Sequence, residues 1–347
     1  MKSIKFEIVK EVDIPWDTLK SCYDHTVFKS KNWSLFLKEY YHILPFVISI
    51  SENENIIGYF YGQKMKKMGI KIVASPFEGW STAYQGLSML APISIHKRID
   101  IYEALIKWLF DEKLCHLFQV SDFQLEVAEC LHRNLNIELL KGYVLDLTLS
   151  EEELYSNMSS RAKDPIKKSI KRGVVVKQMT DVNVYAHYYY MQLCDVFKNQ
   201  GLTPTHSEQQ IISMLTNTSP DSMLCLYSES ADGEIISTGF YAYDGIYAFY
   251  SGAASYKKGQ NLCPNEILMW EAIKILKQKG VKYLEFGGGR RYKEKYGPKS
   301  FVKPKIIAAK YKWLLGAKQN AKDIYYGLRN TFGRLKGHKI NNGLKKS

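Results

Sequence analysis

The stretch KYLEFGGGRRYKEKYG, residues 282–297, combines residue types that could bind an anionic group. It joins a β-forming run to three consecutive glycines, which permit backbone conformations closed to other residues and allow another molecule to approach closely. Arg290, Arg291 and Lys293 follow at once, and clustered cations favour an anionic partner. A lysine here could also donate hydrogen bonds to a developing oxyanion. The same pattern is typical of a flexible turn that ends in solvated charge.

A second basic cluster lies in SSRAKDPIKKSIKRGVVVK, residues 159–177. A diphosphate is held by several fixed cations, here Lys167 and Lys168, with Arg161 able to make bidentate contacts. Pro165 lies inside the run, and proline is favoured at the first position of a helix. We therefore predict that the helix starts at Pro165 and that Arg161 lies on the preceding loop. The alternative is a solvated basic helix face.

The spacing of cysteine and histidine does not indicate a metal site. Cys22 with His25 and Cys130 with His132 are the closest pairs, and the sequence offers neither a second pair at zinc-like spacing. No C-x-x-C pair occurs, so the cysteines are typical of reduced thiols in a cytosolic protein. The sequence also contains no G-x-S-x-G motif and no P-loop, which argues against covalent serine catalysis and nucleotide hydrolysis.

The positive charge of the chain is concentrated near its end. Lys and Arg total 48 against 35 Asp and Glu, a formal net charge of +13, and residues 316–347 carry eight basic residues and one acidic residue. This tail mixes aromatic with basic residues, as interfacial helices do, so contact with the anionic inner membrane surface, a lipid-linked substrate or RNA is one interpretation. A solvated terminus is the other. No apolar run approaches the roughly 20 residues that span a bilayer, and no secretory signal begins the chain. We predict a cytoplasmic protein, with or without peripheral membrane contact.

The elements that would position these residues occur in the same order in both halves of the chain. In the second half, hydrophobic patterning predicts three strands, a helix and a strand, at residues 222–230, 234–244, 246–255, 264–280 and 281–286. In the first half it predicts the same order at residues 46–51, 56–65, 70–77, 98–113 and 115–122. An internal duplication explains this repeat better than coincidence. We predict domains at residues 1–148 and 149–315, followed by the basic tail at 316–347.

This element order resembles the GNAT acyltransferase fold. The resemblance implies an α/β (α+β) architecture of two tandem GNAT-like domains, each with a mixed, mainly antiparallel sheet flanked by helices. It also implies that the central strands splay apart to receive an acyl donor. Where GNAT proteins carry their donor loop, this chain has YKKGQNLCPNE. Gly259 is present, but Asn261 and Leu262 replace small residues, which argues against an ordinary acetyl-CoA pyrophosphate cradle.

Four stretches resemble the FemAB-like peptidoglycan aminoacyltransferases and their relatives linked to polysaccharide synthesis. They are VFKSKNWSLFLKEYY (27–41), ASPFEGWSTAYQG (74–86), SSRAKDPIKKSIKRGVVVK (159–177) and FGGGRRYKEKYG (286–297). The resemblance covers nearly the whole chain. From FemX-type members it implies that Lys293, beside Tyr292, is catalytic, with Lys295 as the alternative. It also implies that substrate approaches at Gly288 and that its anionic groups meet Arg290 and Arg291.

The resemblance implies further site residues in both halves. Its phosphate-binding positions match Arg161, Lys167 and Lys168 in the second half, and Lys38 lies near a matching lysine in the first. Asp122, at a strand end, could position or deprotonate an incoming ammonium, or it could cap the next segment. Candidates for a sugar-binding wall are Glu78 and Trp80.

Together these features predict an N-acyltransferase that acts on an amine of a nucleotide-sugar, a lipid-linked sugar or a muramyl peptide, without a bound cofactor or metal. Its co-substrate is an acyl-CoA or an aminoacyl-tRNA. A non-catalytic module that holds a glycan precursor or a membrane is the main alternative, and a simple RNA-binding protein is the third.

Overall fold

The computed structural model describes residues 4–316, except 200, 201, 203, 205, 219, 221 and 289. Nearly all of the predicted basic tail therefore lies outside the described residues. The described chain divides into two compact units. The first comprises the residues up to Gly142 together with 287–288 and Ser300–Leu315, and the second comprises Tyr143–Phe286 and Arg290–Lys299. Among the described helices, none has both the length and the hydropathy needed to cross a membrane.

The first unit contains a mixed sheet flanked by helices. Its strands are β1 (Ile4–Val9), β2 (Pro45–Glu52), β3 (Asn55–Lys67), β4 (Ile70–Ser75), β5 (Gly86–Met89) and β6 (Leu117–Val120). Its helices are α1 (Trp16–Ser21), α2 (Lys31–Tyr41), α3 (Ile95–Asp111) and α4 (Val127–His132). Strand β7 (Ile137–Asp146) begins in this unit and ends in the second.

The second unit repeats this plan. Its helices are α5 (Glu151–Asn157), α6 (Ser160–Lys171), α7 (Val182–Asn199), α8 (Glu208–Asn217) and α9 (Pro264–Gln278). Its strands are β8 (Val175–Gln178), β9 (Met223–Glu229), β10 (Ile235–Tyr243), β11 (Tyr247–Ser255) and β12 (Tyr283–Glu285). Strand β13 (Lys299–Ala309) then returns the chain to the first unit.

The two units have matching strand orders, as the predicted internal duplication requires. The first unit has the order β1-β2-β3-β4-β6-β13, and the second has β7-β12-β11-β10-β9-β8. In each unit neighbouring strands are antiparallel except for one pair, β4 with β6 and β11 with β12. Each parallel pair is connected through a helix, α3 or α9, as parallel strands require. The predicted α/β class is confirmed, and the three strands predicted at 222–230, 234–244 and 246–255 form the antiparallel β9-β10-β11 meander.

Local sequence signals fix the two crossover helices. The hydroxyl of Ser94 accepts a hydrogen bond from the backbone N–H of Lys97 and caps α3. Pro264 occupies the first turn of α9, where its missing N–H costs nothing. The apolar side chains of α9 form the core of the second unit, among them Met269, Ala272, Ile273 and Leu276.

Three features differ from the sequence-based expectation. The segment between the predicted strand at 70–77 and the predicted helix at 98–113 contains strand β5, which pairs with β3 and buries all four of its residues. Helix α6 begins at Ser160, five residues before the predicted start at Pro165. Residues 300–315 belong to the first unit rather than to a contiguous 149–315 domain, because β13 pairs with β6.

Candidate active site

Strands β11 and β12 part in the middle of the second unit. They pair in parallel from Tyr247 and Tyr283 to Phe249 and Glu285. Strand β12 ends there, whereas β11 continues to Ser255. At the same level, the register between β10 and β11 shifts, which leaves one extra residue on β11 and increases the local twist. We call the place where β12 ends while β11 continues the fork.

The ammonium of Lys293 lies at the fork. Lys293 belongs to the 3₁₀ turn Arg291–Tyr296, and only 6% of its surface is exposed. Its Nζ donates a hydrogen bond of 2.6 Å to the carbonyl oxygen of Phe286, the residue that follows β12. The ring centroids of Tyr250 and Tyr292 each lie 5.8 Å from this nitrogen. Lys293 is therefore not a solvated surface lysine, which was the alternative interpretation of the motif.

The surroundings of Lys293 lower the pKa of its amine. The pKa of the amine is lowered to about 8, first by burial and second by the positive charge of Arg290, and the negative charge of Glu285 opposes this shift. The side chain is still mostly an ammonium at neutral pH. A cation in a site with little water interacts strongly with a negative charge placed beside it.

Neighbouring elements fix the turn that carries Lys293. The ring of Tyr296 stacks on that of Phe286, with centroids 5.8 Å apart and an interplanar angle of 8°. The hydroxyl of Tyr143 donates to Glu294 at 2.7 Å. The predicted alternative to Lys293, Lys295, instead pairs with Glu266 at 2.5 Å. The turn thus holds one lysine at the fork and another in a structural ion pair.

Tyr292, Arg290 and Arg291 lie on the exposed side of the same segment. Half of the surface of Tyr292 is exposed, and the side chain of Arg291 is 91% exposed, 3.8 Å from Glu294. Gly288 is also exposed and has a φ of +40°, the kind of backbone that glycine allows. The structure thus brings together the three site residues predicted at 290, 292 and 293.

Helix α6 presents the predicted phosphate-binding residues to solvent. Arg161, Lys167 and Lys168 are exposed on it, while Ala162, Ile166 and Ser169 are buried. The prediction that Arg161 precedes the helix is wrong. The backbone N–H of Ser159 donates to the carbonyl of Lys295 at 2.9 Å, and this tertiary contact sets the start of the helix ahead of Pro165.

The carboxyl end of α6 packs against the loop before α9, where GNAT proteins cradle a donor pyrophosphate. The hydroxyl oxygen of Ser169 lies 2.7 and 2.8 Å from the carbonyl oxygens of Leu262 and Cys263. Arg172 donates to the carbonyl of Asn261 at 2.8 Å. A pyrophosphate cradle needs outward-facing backbone N–H groups, whereas the N–H groups of Gly259 and Cys263 donate within this loop, to the carbonyl oxygens of Tyr256 and Gln260 at 3.1 and 3.0 Å.

Asp122 is a structural anchor of the first unit. It is 2% exposed, and its Oδ2 accepts hydrogen bonds from Arg98 at 2.7 Å and Tyr102 at 2.6 Å. Its Oδ1 accepts from the backbone N–H of Gln124 at 2.9 Å, which is the capping role that the sequence left open. Burial raises the pKa of Asp122, but Arg98 and Lys29 outweigh burial and keep the pKa below its usual value. These contacts match the capping alternative, and the role in positioning or deprotonating an ammonium stays a prediction.

The other predicted residues of the first unit lie near its surface. Lys38 forms an exposed ion pair of 2.7 Å with Glu11. Glu78 pairs with the buried Lys305 and so ties its loop to β13. Trp80 stacks on Tyr41 with centroids 4.6 Å apart. Lys38 and Glu78 thus already have protein partners, and Trp80 belongs to an aromatic cluster.

Sequence reasoning missed two residues at the fork, Glu285 and Tyr250. A glutamate inside the buried strand pattern VKYLEF was the available signal for Glu285, since buried carboxylates are rare without a partner or a role. Tyr250 offered no comparable signal, because aromatic residues are common in strands.

Proteins similar to this chain were found among solved structures. No family model matches the chain, and no curated protein does. The fold is similar to that of FemX, with a TM-score of 0.68 at 8% identity, over 90% of this chain and 99% of that one. It is also similar to a conserved protein of unknown function from Bacteroides thetaiotaomicron, with a TM-score of 0.57 at 10% identity, over 88% and 99%. A tandem GNAT protein from the clavulanic acid biosynthesis pathway matches with a TM-score of 0.50 at 8% identity, over 88% and 98%. The predicted FemX-like tandem GNAT fold is therefore confirmed.

Proposed function

We propose that this chain, which has the fold of FemX and of tandem GNAT proteins, is an N-acyltransferase whose reaction takes place at the fork. The observation that carries the proposal is the buried Lys293, whose ammonium lies where β11 and β12 part. A buried cation is costly, and a protein retains one chiefly where it has a partner or a task.

The geometry supports direct transfer to an amine. The carbonyl of the acyl donor enters the fork, and the amine of the acceptor attacks it. Lys293 donates a hydrogen bond to the oxyanion that develops and offsets its charge, an effect worth several kcal/mol in a site with little water. Holding donor and acceptor together supplies most of the remaining acceleration, so no covalent enzyme intermediate is needed.

The loop before α9 bears on the donor. Because the backbone N–H groups of Gly259 and Cys263 donate within the loop, they are not available to the pyrophosphate of CoA. This supports an aminoacyl-tRNA as donor ahead of an acyl-CoA.

The exposed cations of α6 bear on the acceptor. Arg161, Lys167 and Lys168 are suited to phosphate groups, which nucleotide-sugars and lipid-linked sugars carry. We therefore propose an amine of a cell-envelope sugar or peptide precursor as acceptor, such as a UDP-linked amino sugar or a UDP-linked muramyl peptide.

A panel of donors and acceptors tests this function. Acetyl-CoA, longer acyl-CoAs and charged tRNA would each be combined with UDP-linked amino sugars and muramyl peptides, and the acceptor mass would be followed. We expect the mass of one acceptor class to increase by one acyl or aminoacyl group. If folded protein leaves every acceptor unchanged, the transferase proposal fails and the non-catalytic module becomes the better account.

A further inference from the structure

Glu285 is a buried carboxylate at the end of β12, next to the atom that holds Lys293. Only 3% of its surface is exposed. It is the last residue of β12 and pairs with Phe249 on β11 and with Val144 on β7. The carbonyl of the next residue, Phe286, accepts the hydrogen bond from Lys293. Glu285 therefore marks the point at which the fork opens.

The side chain of Glu285 is carried on one particular face of the sheet. Leu284 packs into the core that contains the apolar residues of α9. Because successive side chains of a strand point to opposite faces, Glu285 faces away from α9. The carboxylate thus reaches the fork from the face of the sheet that α9 does not cover.

The charged groups around Glu285 come from the turn that follows it. The negative charge of Glu285 raises the pKa of Lys293, and the positive charge of Arg290 lowers it. On the adjacent strands the residues directly opposite are apolar, Phe249 and Val144. The nearest titratable side chains on the same face lie two positions away along each strand. They are Tyr247 on β11, Asp146 on β7 and Tyr283 on β12. Glu285 is buried and directly precedes Phe286, whose carbonyl holds the buried ammonium, so the fork contains both an acceptor and a donor of protons.

We propose that Glu285 accepts the proton that the attacking amine must lose, an inference that rests on the proposed transferase function. The nitrogen lone pair of the acceptor forms the new bond to the acyl carbon, and the carbonyl electrons move to the oxygen beside Lys293. Glu285 takes one proton from the nitrogen. The tetrahedral intermediate then expels the oxygen or sulfur of the donor ester or thioester, which receives that proton, and Glu285 is again a carboxylate.

Substitution of Glu285 tests this role in the full chain. For the donor and acceptor that give product with the unsubstituted protein, kcat and KM would be measured between pH 5.5 and 9 for Glu285→Gln and Glu285→Asp. Glu285→Gln preserves shape but cannot take the proton, so we expect kcat to fall about 10²- to 10⁴-fold with little change in KM. In the unsubstituted protein, kcat should rise with pH as the general base loses its proton. Glu285→Gln lacks this base, so the rise should be absent. Glu285→Asp, which keeps the carboxylate but withdraws it, should retain an intermediate rate.

The matched control is Glu152→Gln, which changes an exposed carboxylate in the first turn of α5, outside the fork and its supporting contacts. It should leave kcat within about threefold of the unsubstituted value, and circular dichroism should show native folding for all variants. If Glu285→Gln keeps both kcat and the acid limb, the base assignment is wrong while the transferase function stands. If the unsubstituted protein forms no product with any pair, the transferase function itself fails, and the role of Glu285 fails with it.

Discussion

At the scale of the residue, the burial of the Lys293 ammonium lowers the stability of the fold. Its side chain carries a charge in a site that excludes most water, and burial lowers its pKa from 10.5 to about 8. One pKa unit corresponds to about 1.4 kcal/mol, so the cost of keeping this group charged is on the order of 3 kcal/mol below pH 8. The hydrogen bond to Phe286 offsets part of that cost.

The cost of burying this charge predicts a pH-dependent difference in unfolding free energy between Lys293→Met and the unsubstituted protein. Between pH 8 and 10.5 the unfolded chain binds more protons at residue 293 than the folded chain, so this group adds stability as pH rises. Its penalty is therefore fully present at pH 7 and is relieved as pH increases past 8. We expect Lys293→Met to gain most relative to the unsubstituted protein at pH 7 and the gap to narrow by about 2 kcal/mol toward pH 10.

Urea unfolding of both proteins at pH 7, 8, 9 and 10 measures this gap. Other titrating groups contribute equally to both proteins and cancel in the difference. A difference that stays constant with pH would show that Lys293 is not a cation strained by burial.

At the scale of the element, the 3₁₀ turn that holds Lys293 depends on how it ends. Gly297 terminates the turn with a φ of +75°, and an added Cβ would lie 2.7 Å from the carbonyl oxygen of Asn157. Both the backbone conformation and the close approach therefore demand glycine. The contact also fixes the turn against the chain that leads into α6.

Gly297→Ala should destabilise the second unit more than the same substitution at a glycine that has a positive φ but no close neighbour. Gly280 is the matched control, because its φ is +83° and no atom lies within 4 Å of an added Cβ. We expect Gly280→Ala to cost about 1 kcal/mol and Gly297→Ala at least twice as much. Thermal unfolding monitored by circular dichroism provides the comparison, and equal losses would show that the turn tolerates displacement from Asn157.

At the scale of the whole molecule, the sequence predicted what local patterning controls. The order of strands and helices in both units, the β9-β10-β11 meander and the start of α9 at Pro264 follow from hydrophobic period and turn residues. The cluster of Tyr292 and Lys293 was also predictable, because its residues are neighbours in sequence.

The remaining features depend on contacts between segments far apart in the chain, which local patterning does not encode. Asp122 is anchored by Arg98, and Arg98 also pairs with Asp24, 74 residues earlier. The start of α6 is set by a hydrogen bond from Ser159 to Lys295, 136 positions later in the chain. Strand β13 returns to pair with β6 across most of the second unit's sequence. Each of these partners becomes visible only in the folded chain.

The most direct test of the central claim is the single-turnover rate of Lys293→Met beside that of Lys282→Met. Lys282 is an exposed lysine just before β12, so its substitution removes the same charge without touching the fork. We expect Lys293→Met to slow acyl transfer about 10²- to 10³-fold at pH 7.5, whereas Lys282→Met should stay within about twofold of the unsubstituted rate. Equal rates for both variants and the unsubstituted protein would contradict a catalytic role for the buried ammonium at the fork.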